Sequence, residues 1–467
     1  MQSSRATSGV DLALALTDRR VRLGLEDELR EAVRAGRLQP GVRLPSSRTL
    51  ATELGIGRNT VADAYAQLVA EGWLVARHGA GTWVADRPDH GAGVAQSRPD
   101  DEPVARYDLR PGAPDLAAFP RSQWLAAARR ALAVASDRSL GYGDPRGVPG
   151  LRDALAGYLA RARRVAVDPA RIVVCAGFAQ GLELVCIGLR RGGATTVAVE
   201  AFGHRLHRDI IESCGLAVRS VAVDERGAVV DQCGDAAATL LTPAHQFPIG
   251  VVLDPVRRRH TIRWAADSGA IVLEDDYDGE FRYDRQAVGA MQSLAPDQVV
   301  YAGTASKSLA PGLRLGWLVL PPGLVDEIVE IKRSKGSFPS ALDQLTLAEF
   351  ITNGAYDRHI RRARLSYRRR RDRLVQTVAE RAPAVTVSGI AAGLHVVAEL
   401  PDRPEDEVIA AAAEHGVAVE GLGTFTSPGH DHPPALVIGY ATPADHAYTS
   451  ALARLVASLR SSDRARR

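Results

Sequence analysis

The sequence predicts two domains of different classes, a small α+β domain followed by a large α/β domain with an open, largely parallel sheet. Short amphipathic helices and a β-hairpin occupy the first part of the chain, whereas short apolar strands alternate with helices after residue 107. A polar segment rich in proline and glycine separates the two patterns. We therefore place the first domain at residues 10–85, a linker at 86–106 and the second domain at 107–460.

Composition narrows the function classes before any motif is considered. The 467 residues are 46% hydrophobic and 24% charged, as in ordinary globular proteins, and no apolar run approaches the ~20 residues that a membrane span needs. The net charge of +3 is too small to indicate nucleic acid by itself, so a DNA-binding inference depends on where the arginines lie. The cysteines at 175, 186, 214 and 233 form no Cys-x-x-Cys pair, which predicts reduced thiols in the cytoplasm rather than disulfides or zinc ligands.

Three helices are predicted in the first domain, over residues 21–36, 48–54 and 58–72. Ser46 or Ser47 can cap the second helix. The second and third helices are short and are joined by a tight turn that contains glycine. Such a pair makes a helix-turn-helix, whose second helix presents its first turn to the major groove of DNA.

The first turn of that helix carries Arg58, Asn59 and Thr60, which are the side chains expected at base edges and phosphates. The next segment predicts a β-hairpin, or wing, with strands at residues 73–77 and 82–84. Its basic turn can reach phosphates or the minor groove. A small helical domain that binds another protein is the alternative interpretation.

The second domain contains a series of short apolar strands separated by helical stretches, which indicates a buried, mostly parallel sheet. Such sheets bind ligands at the carboxyl ends of their strands. The predicted strands are Ile172–Cys175, Thr196–Val199, Thr239–Leu241, Ile271–Leu273, Val299–Tyr301 and Leu315–Leu320, and predicted helices are Trp124–Ala135 and Gly150–Arg164.

Two polar clusters follow such strands. Gly177, Phe178 and Ala179 open a helix directly after a strand, so their backbone amides can hold a phosphate. Asp275 and Tyr277 end another strand with a carboxylate and a phenol, which can pair with the nitrogen and hydroxyl of a pyridine ring. Binding of Mg²⁺ by this acidic stretch is the alternative.

A third cluster surrounds Lys307, in a chain that otherwise uses arginine for almost every cation and has only two further lysines. Lysine can form an imine and arginine cannot. Thr304 and Ser306 precede it, and Arg314 follows seven positions later. An amine beside hydroxyls and a guanidinium suits a cofactor with an aldehyde and a phosphate, which describes pyridoxal phosphate. A surface lysine on a glycine- and serine-rich turn is the alternative.

The segment from Leu25 to Val84 resembles the winged helix-turn-helix of GntR-type regulators. The matching stretches are Gly36-Arg-Leu-x-Pro-Gly-x-Arg-Leu-Pro45, Arg48-x-Leu-Ala, Arg58-x-Thr-Val and Ala64-Tyr-x-x-Leu68. The resemblance implies contacts with operator DNA by Arg48, Arg58, Asn59, Thr60, His78 and Gly79. One departure is Gly57, where the family usually has a capping serine or threonine.

Four stretches of the second domain resemble fold-type I aminotransferases, and the whole chain resembles the MocR/GabR subfamily of GntR regulators. They are Gly141-Tyr-Gly-Asp-Pro-Arg-Gly147, Thr242-Pro-Ala-His-Gln-Phe-Pro-Ile-Gly250, Glu274-Asp-Asp-Tyr-Asp-Gly-Glu-Phe-Arg-Tyr283 and Ser306-Lys-Ser-Leu-Ala-Pro-Gly-Leu-Arg314. The resemblance implies a large subdomain at about 140–340, a small one at about 341–460, and a homodimer, with each winged helix over the other subunit if the two chains pair head-to-tail.

By the same resemblance, Lys307 would form the Schiff base with pyridoxal 5'-phosphate, Asp275 would face the ring nitrogen and Tyr277 the ring oxygen. Arg314, Thr304 or Ser306, and the amides around Phe178 and Ala179 would hold the phosphate. The implied function is a DNA-binding regulator whose aminotransferase-like domain senses an amine or a vitamin B6 compound. An active aminotransferase with an appended DNA-binding module is the alternative.

Two departures from the family pattern bear on the ligand. His204 replaces the tyrosine of a Pro-Gly-Tyr motif whose ring stacks on the cofactor, and Val437 replaces the arginine that clamps an amino-acid carboxylate. Losing that clamp makes transamination of an ordinary amino acid doubtful. An arginine-rich run, residues 361–373, is predicted to be a solvated helix face, with contact to DNA as the alternative.

Overall fold

The structure is a computed structural model that describes residues 6–8, 10–12, 21–77, 80–86, 105–165, 167–283, 288–401 and 403–460. The chain divides into two compact units, with the boundary between residues 102 and 103. Within the described ranges, no helix combines the length and apolar character needed to cross a bilayer.

The N-terminal unit contains the predicted helices and wing. Its elements are β1 (Ala6–Ser8), β2 (Val10–Leu12), α1 (Val21–Arg34), α2 (Ser47–Leu54), α3 (Arg58–Ala70), β3 (Leu74–Arg77) and β4 (Gly81–Val84). Strands β3 and β4 pair antiparallel as the wing, and β1 and β2 form a short hairpin that the sequence did not predict.

Local signals set the ends of the helix-turn-helix. The Ser46 hydroxyl accepts a hydrogen bond from the Thr49 amide at 3.1 Å and caps α2. Gly55 ends α2 with φ of 66°, a left-handed conformation that glycine adopts without strain. Gly57 precedes α3 and makes no side-chain cap, because glycine has no side chain. Buried leucines and valines from all three helices form one small core around Leu50 and Val61.

The C-terminal unit is larger and contains two main sheets. Its first half comprises β5 (Tyr107–Asp108), α4 (Arg121–Val134), α5 (Pro149–Arg163), β6 (Ile172–Cys175), α6 (Phe178–Arg191), β7 (Thr196–Glu200), α7 (Arg205–Ser213), β8 (Ala217–Val221), β9 (Val223–Asp224), β10 (Gly227–Ala228), β11 (Ala238–Leu241) and α8 (Pro255–Ser268). Its second half comprises β12 (Ile271–Asp275), β13 (Val299–Thr304), β14 (Gly316–Val319), α9 (Val325–Lys335), α10 (Ala341–Thr352), α11 (Ala355–Arg381), β15 (Thr386–Ser388), β16 (His395–Glu399), α12 (Glu405–Glu414), β17 (Val417–Ala418), β18 (Glu420–Gly421), β19 (Ala435–Gly439) and α13 (Asp445–Leu459). Short 3₁₀ helices lie at Leu116–Ala118, Asp137–Leu140, Pro169–Arg171, Val230–Cys233, Met291–Ser293, Pro311–Leu313, Pro322–Leu324 and Leu422–Phe425.

The main sheet has seven strands in the order β6-β14-β13-β12-β11-β7-β8. Strand β14 runs antiparallel to both of its neighbours, and the other pairings are parallel. Side chains of β6 alternate between two apolar cores, with Val173 in one and Val174 in the other, so the sheet is covered on both faces. All six predicted strands lie in this sheet, which confirms the predicted α/β class.

Strand β8 was not predicted, because it lies at the edge of the sheet and carries Arg219 and Ser220 instead of an apolar run. A second, antiparallel sheet has the order β15-β16-β19-β18. It belongs to the C-terminal part of the chain, together with α11, α12 and α13. Strands β5 and β17 pair in parallel and so join the start of the unit to this part.

Helix α11 contains the arginine-rich run, and most of its arginines are exposed as predicted. Arg371 is only partly exposed, and Arg370 is buried and forms ion pairs with Asp115 at 2.8 Å and with Asp445 at 2.6 Å. The prediction of a solvated face is therefore wrong at Arg370. The four cysteines are free thiols, as predicted.

Candidate functional site

A cavity of about 290 Å³ lies at the carboxyl ends of the main-sheet strands. Its size is near the lower end of the range for small-molecule sites. All ten predicted cofactor residues line this one cavity, namely Gly177, Phe178, Ala179, His204, Asp275, Tyr277, Thr304, Ser306, Lys307 and Arg314. They lie at the carboxyl ends of β6, β7, β12 and β13 or in the segments that directly follow, and these strands end at the same edge of the sheet.

Lys307 lies in the loop after β13 and points its amine into the cavity. Nζ donates a hydrogen bond to the carbonyl oxygen of Gly112 at 2.5 Å. Burial lowers the pKa of Lys307, and the carboxylates of Asp275 and Asp278 partly oppose this effect. A lowered pKa increases the fraction of neutral amine, which is the nucleophilic form.

The groups at one end of the cavity can bind an anion. Gly177 has φ of 90° and precedes α6, whose first amides receive no side-chain cap. A Cβ at Gly177 would lie 3.5 Å from Nη1 of Arg314, so the guanidinium sits against this turn. Arg314 itself has φ of 50°, a conformation that costs energy for a residue with a side chain and is often found at binding sites.

The Thr304 and Ser306 hydroxyls lie beside each other at the same edge. Thr304 Oγ1 donates to Ser306 Oγ at 2.9 Å and accepts from the Ser306 amide at 3.1 Å. Among the described residues, Arg314 has no carboxylate partner. Amides, a guanidinium and hydroxyls without a counter-charge make this end suitable for a phosphate.

Asp275 and Asp276 follow each other at the end of β12 but face different surroundings. Asp276 is buried and accepts two hydrogen bonds from Arg163, at 2.5 and 2.8 Å, and one from the Tyr301 hydroxyl at 2.7 Å. Asp275 is also buried but accepts no hydrogen bond from the described residues, and it lines the cavity. Burial and the charge of Asp276 raise the pKa of Asp275 well above its usual value, whereas the Lys307 ammonium lowers it.

Tyr277 lies two residues after Asp275, in the loop that follows β12, and contacts a histidine that was not assigned from the sequence. Its hydroxyl lies 3.0 Å from Nδ1 of His245, and the same Nδ1 lies 2.7 Å from Oδ2 of Asp278. The signal was present, because His245 follows β11 at the ligand-binding edge of the sheet. His395, on β16, lines the same cavity.

His204 occupies the position where a ring was predicted to stack on a cofactor. Its imidazole stacks on Phe247, with ring centroids 4.2 Å apart and an angle of 18° between the planes. Burial, together with the charges of Lys307 and Arg208, lowers the pKa of His204 to about 4, so the ring is neutral near pH 7.

Two charged residues that the sequence reasoning missed also line the cavity. Glu200 ends β7 and accepts hydrogen bonds from the amide and hydroxyl of Thr242 at 3.0 and 2.6 Å, and burial raises its pKa to about 7. Arg208, on α7, donates from Nη2 to the carbonyl oxygens of Ala201 and Phe425.

Val437 lies on β19, fully buried. It belongs to an apolar cluster with Phe247, Phe425, Val397 and others, against which Tyr277 also packs. Because Phe247 and Tyr277 line the cavity, the apolar cluster that contains Val437 backs this part of the cavity wall.

The predicted DNA-contacting residues lie at the starts of α2 and α3. Arg48, Arg58 and Asn59 are exposed, and Thr60 is partly exposed. His78 and Gly79 lie outside the described residues. These placements match the geometry in which a recognition helix presents its first turn to the major groove.

Comparison with known proteins identifies both units. The family "Aminotransferase class I and II" matches residues 109–455, and the family "Bacterial regulatory proteins, gntR family" matches residues 22–84. A "Probable rhizopine catabolism regulatory protein MocR" of Rhizobium meliloti is 32% identical over 89% of each chain. The "HTH-type pyridoxine biosynthesis transcriptional regulator PdxR" of Corynebacterium glutamicum is 34% identical over 86% of this chain and 88% of that protein.

Solved structures show the same fold for the large unit. The kynurenine aminotransferase of Pyrococcus horikoshii superposes with a TM-score of 0.68 at 23% identity, covering 75% of this chain and 90% of that one. LysN, an alpha-aminoadipate aminotransferase of Thermus thermophilus, gives 0.67 at 23% identity, over 75% and 91% of the two chains. The chain therefore belongs to the MocR-type helix-turn-helix transcriptional regulators, in which a GntR-type module is joined to an aminotransferase-like domain.

Proposed function

We propose that the cavity binds pyridoxal 5'-phosphate, and that an amine or a vitamin B6 compound acting there controls binding of the N-terminal unit to operator DNA. The observation that supports this most strongly is the meeting of Lys307, Asp275 and Arg314 in one cavity. An amine, a carboxylate and a guanidinium correspond to the aldehyde, ring nitrogen and phosphate of this cofactor.

The hydrogen-bonding groups that these residues leave without a partner in the described part of the chain match those of the cofactor. Asp275 is a buried carboxylate without a hydrogen bond from the described residues, so a protonated ring nitrogen would supply the missing partner. Arg314 and the free amides at the start of α6 form a cradle for a dianion. When bound, pyridoxal phosphate supplies an aldehyde that condenses with a primary amine, and the lowered pKa of Lys307 favours the neutral amine needed for this.

The apolar cluster that contains Val437 supports an effector without an α-carboxylate. A buried valine in an apolar cluster offers neither charge nor hydrogen bond to a carboxylate. We therefore propose as effector an amine lacking that group, or a vitamin B6 compound itself. The name of the Corynebacterium relative, a regulator of pyridoxine biosynthesis, supports the second of these.

We further propose a homodimer. Large apolar side chains are exposed on and after α4, including Val134 at 85% and Tyr142 at 97% of their surface. Leu125, Leu132 and Leu140 belong to the same stretch, and Phe338 and Leu342 are exposed just before and at the start of α10, which packs against α4. Exposed apolar side chains in one region of a chain are typical of a protein-binding surface.

Working transamination is the second candidate, because the large unit has the fold of active aminotransferases. An aminotransferase acting on amino acids needs an anchor for the substrate carboxylate, and Val437 supplies none. We therefore favour the regulatory function.

The first test is the visible absorption spectrum of purified protein with added pyridoxal phosphate, alone and after borohydride. We expect a band that borohydride removes in the parent and in Lys335→Ala, a lysine that pairs with Glu183 instead of lining the cavity, and no such band in Lys307→Ala. Absence of the band from the parent would refute the cofactor proposal.

The second test separates the effector classes. A duplex selected from a random DNA pool supplies the DNA ligand, and its affinity is measured with and without cofactor and added amines. Butylamine and L-norvaline form a matched pair that differs only by the α-carboxylate. We expect both amines to act alike; a response that requires the carboxylate would contradict the effector proposal.

A further inference from the structure

Tyr277, His245 and Asp278 form a closely packed cluster beside the cavity. His245 Nδ1 lies 2.7 Å from Asp278 Oδ2 and 3.0 Å from the Tyr277 hydroxyl oxygen. The side chains of His245 and Asp278 are 3% and 2% exposed, so water does not compete for these contacts. Tyr277 is the member of the cluster that lines the cavity.

The chemistry of the groups sets the direction of the hydrogen bonds. An ionised carboxylate only accepts hydrogen bonds, so the short contact places a proton on Nδ1 that is donated to Asp278. With that proton in place, Nδ1 has no lone pair for the hydroxyl proton of Tyr277. The hydroxyl proton of Tyr277 is therefore left to oxygen acceptors, which are the Asp278 carboxylate beside it and an acceptor in the cavity.

We infer that Asp278 and His245 are a positioning pair, which fixes the histidine tautomer and thereby turns the Tyr277 hydroxyl into a hydrogen-bond donor toward the bound ligand. The inference rests on the proposed binding of pyridoxal phosphate, whose ring oxygen is the acceptor that Tyr277 would meet. A carboxylate that fixes the tautomer of a neighbouring histidine plays the same part in hydrolytic triads.

Other residues hold the pair in place. Gly393 has φ of 73° and no room for a side chain, because a Cβ would overlap His245 and come within 2.6 Å of Asp278 Oδ2. The Gly393 carbonyl accepts hydrogen bonds from the hydroxyls of Tyr283 and Tyr440, at 2.5 and 2.6 Å. The backbone segment that covers the pair is thus fixed from its other side.

The charges near Tyr277 favour a protonated hydroxyl. Burial, and then the carboxylates of Asp278, Asp275 and Glu200, raise its pKa well above the usual value. On β16, His395 lies with its ring centroid 5.2 Å from that of His245, and burial lowers its pKa well below normal, so it adds no positive charge. Lys307 is the cation that acts on both Asp275 and Asp278.

The expected effect is a change in the pH at which the visible band of the cofactor-loaded protein titrates. A hydrogen bond donated to the ring oxygen stabilises its anionic form and so keeps the titration midpoint low. Tyr277→Phe removes that bond, and we expect the midpoint to rise by about one pH unit or more. Asp278→Asn should raise it in the same direction, because the amide no longer fixes the tautomer.

The experiment titrates the parent, Tyr277→Phe, Asp278→Asn and the double variant, each loaded with pyridoxal phosphate and checked for folding by circular dichroism. The double variant should differ from Tyr277→Phe only by the direct effect of the lost Asp278 charge on Lys307, which lowers the midpoint, because the tautomer effect of Asp278 requires the Tyr277 hydroxyl. Glu280→Gln is the control, because Glu280 is a buried carboxylate that bonds Tyr158 and not Tyr277. Gly393→Ala displaces the pair without removing a titratable group, so it should reproduce the shift if Asp278→Asn fails to fold.

The outcomes separate failure of the positioning pair from failure of the proposed pyridoxal phosphate binding. A parent that forms no band contradicts the cofactor proposal. A parent band whose midpoint moves in Tyr277→Phe but not in Asp278→Asn or Gly393→Ala overturns the positioning pair and leaves cofactor binding intact. Shifts in the two single variants that add in the double variant also overturn it, because independent effects would then act on the ligand.

Discussion

Two neighbouring aspartates lie at the end of β12, and replacing each by asparagine should affect a different property. We expect Asp275→Asn to weaken cofactor binding and Asp276→Asn to lower stability. Asp275→Asn replaces a carboxyl group that accepts no hydrogen bond from the described residues, whereas Asp276→Asn weakens a buried pair with Arg163 that includes two hydrogen bonds. A charged hydrogen bond contributes about 1.5–3 kcal/mol, so Asp275→Asn should weaken pyridoxal phosphate binding by about 10- to 150-fold. Breaking a buried ion pair should lower the free energy of unfolding by about 3 kcal/mol in Asp276→Asn.

Titration of the visible band with cofactor measures the first effect, and thermal unfolding of the cofactor-free protein measures the second. We expect cofactor-free Asp275→Asn to unfold no more easily than the parent, because the substitution removes no bond that the described residues make. Parent-like cofactor affinity in Asp275→Asn would show that this carboxylate does not face the ring nitrogen. A strong loss of stability in the same variant would show that it has a structural partner.

Three further predictions concern other parts of the chain. Arg58→Ala removes an exposed guanidinium from the first turn of α3 and should weaken binding to a selected duplex by about 1–3 kcal/mol, measured by fluorescence anisotropy; unchanged affinity would remove Arg58 from the interface. Val134→Glu should shift the protein from dimer to monomer in light scattering, whereas Val256→Glu on α8 should not, and two dimeric variants would place the interface elsewhere. Arg370→Ala leaves the Asp115 carboxylate without its partner and should cost about 3–5 kcal/mol of stability, against about 0.5 kcal/mol or less for the exposed Arg369→Ala; equal losses would contradict the role given to burial.

The sequence was sufficient to bring the predicted cofactor residues to one edge of the sheet. Lys307, Asp275 and Gly177 each follow a recognisable apolar strand, and in a parallel sheet such positions converge. Arg314 was singled out by its spacing from Lys307, and it lies at the same edge because β14 runs against its neighbours, so that the loop between β13 and β14 begins and ends there.

The misses have physical reasons. His245 and Asp278 meet only because two loops fold toward each other, and loop conformation leaves no periodic signal. Burial of Arg370 could have been predicted from the sequence. It lies three positions after Tyr367 and four before Leu374, so it falls on the buried face of the helix. Its acidic partner Asp115 lies 255 positions away, a pairing that spacing along the chain does not reveal.

The antiparallel direction of β14 also has a consequence for folding of the chain during its synthesis. Gly316 pairs with Cys175, so the turn at Gly177 acquires its guanidinium only when a strand synthesised much later takes its place between β6 and β13. Until then β6 has no neighbour in the sheet, and two strand edges are open to incorrect pairing. Because a ligand that binds only the completed site stabilises the folded chain by mass action, the supply of that ligand would set how much of the newly made protein persists. A regulator built in this way would report its ligand through its own abundance as well as through its affinity for DNA.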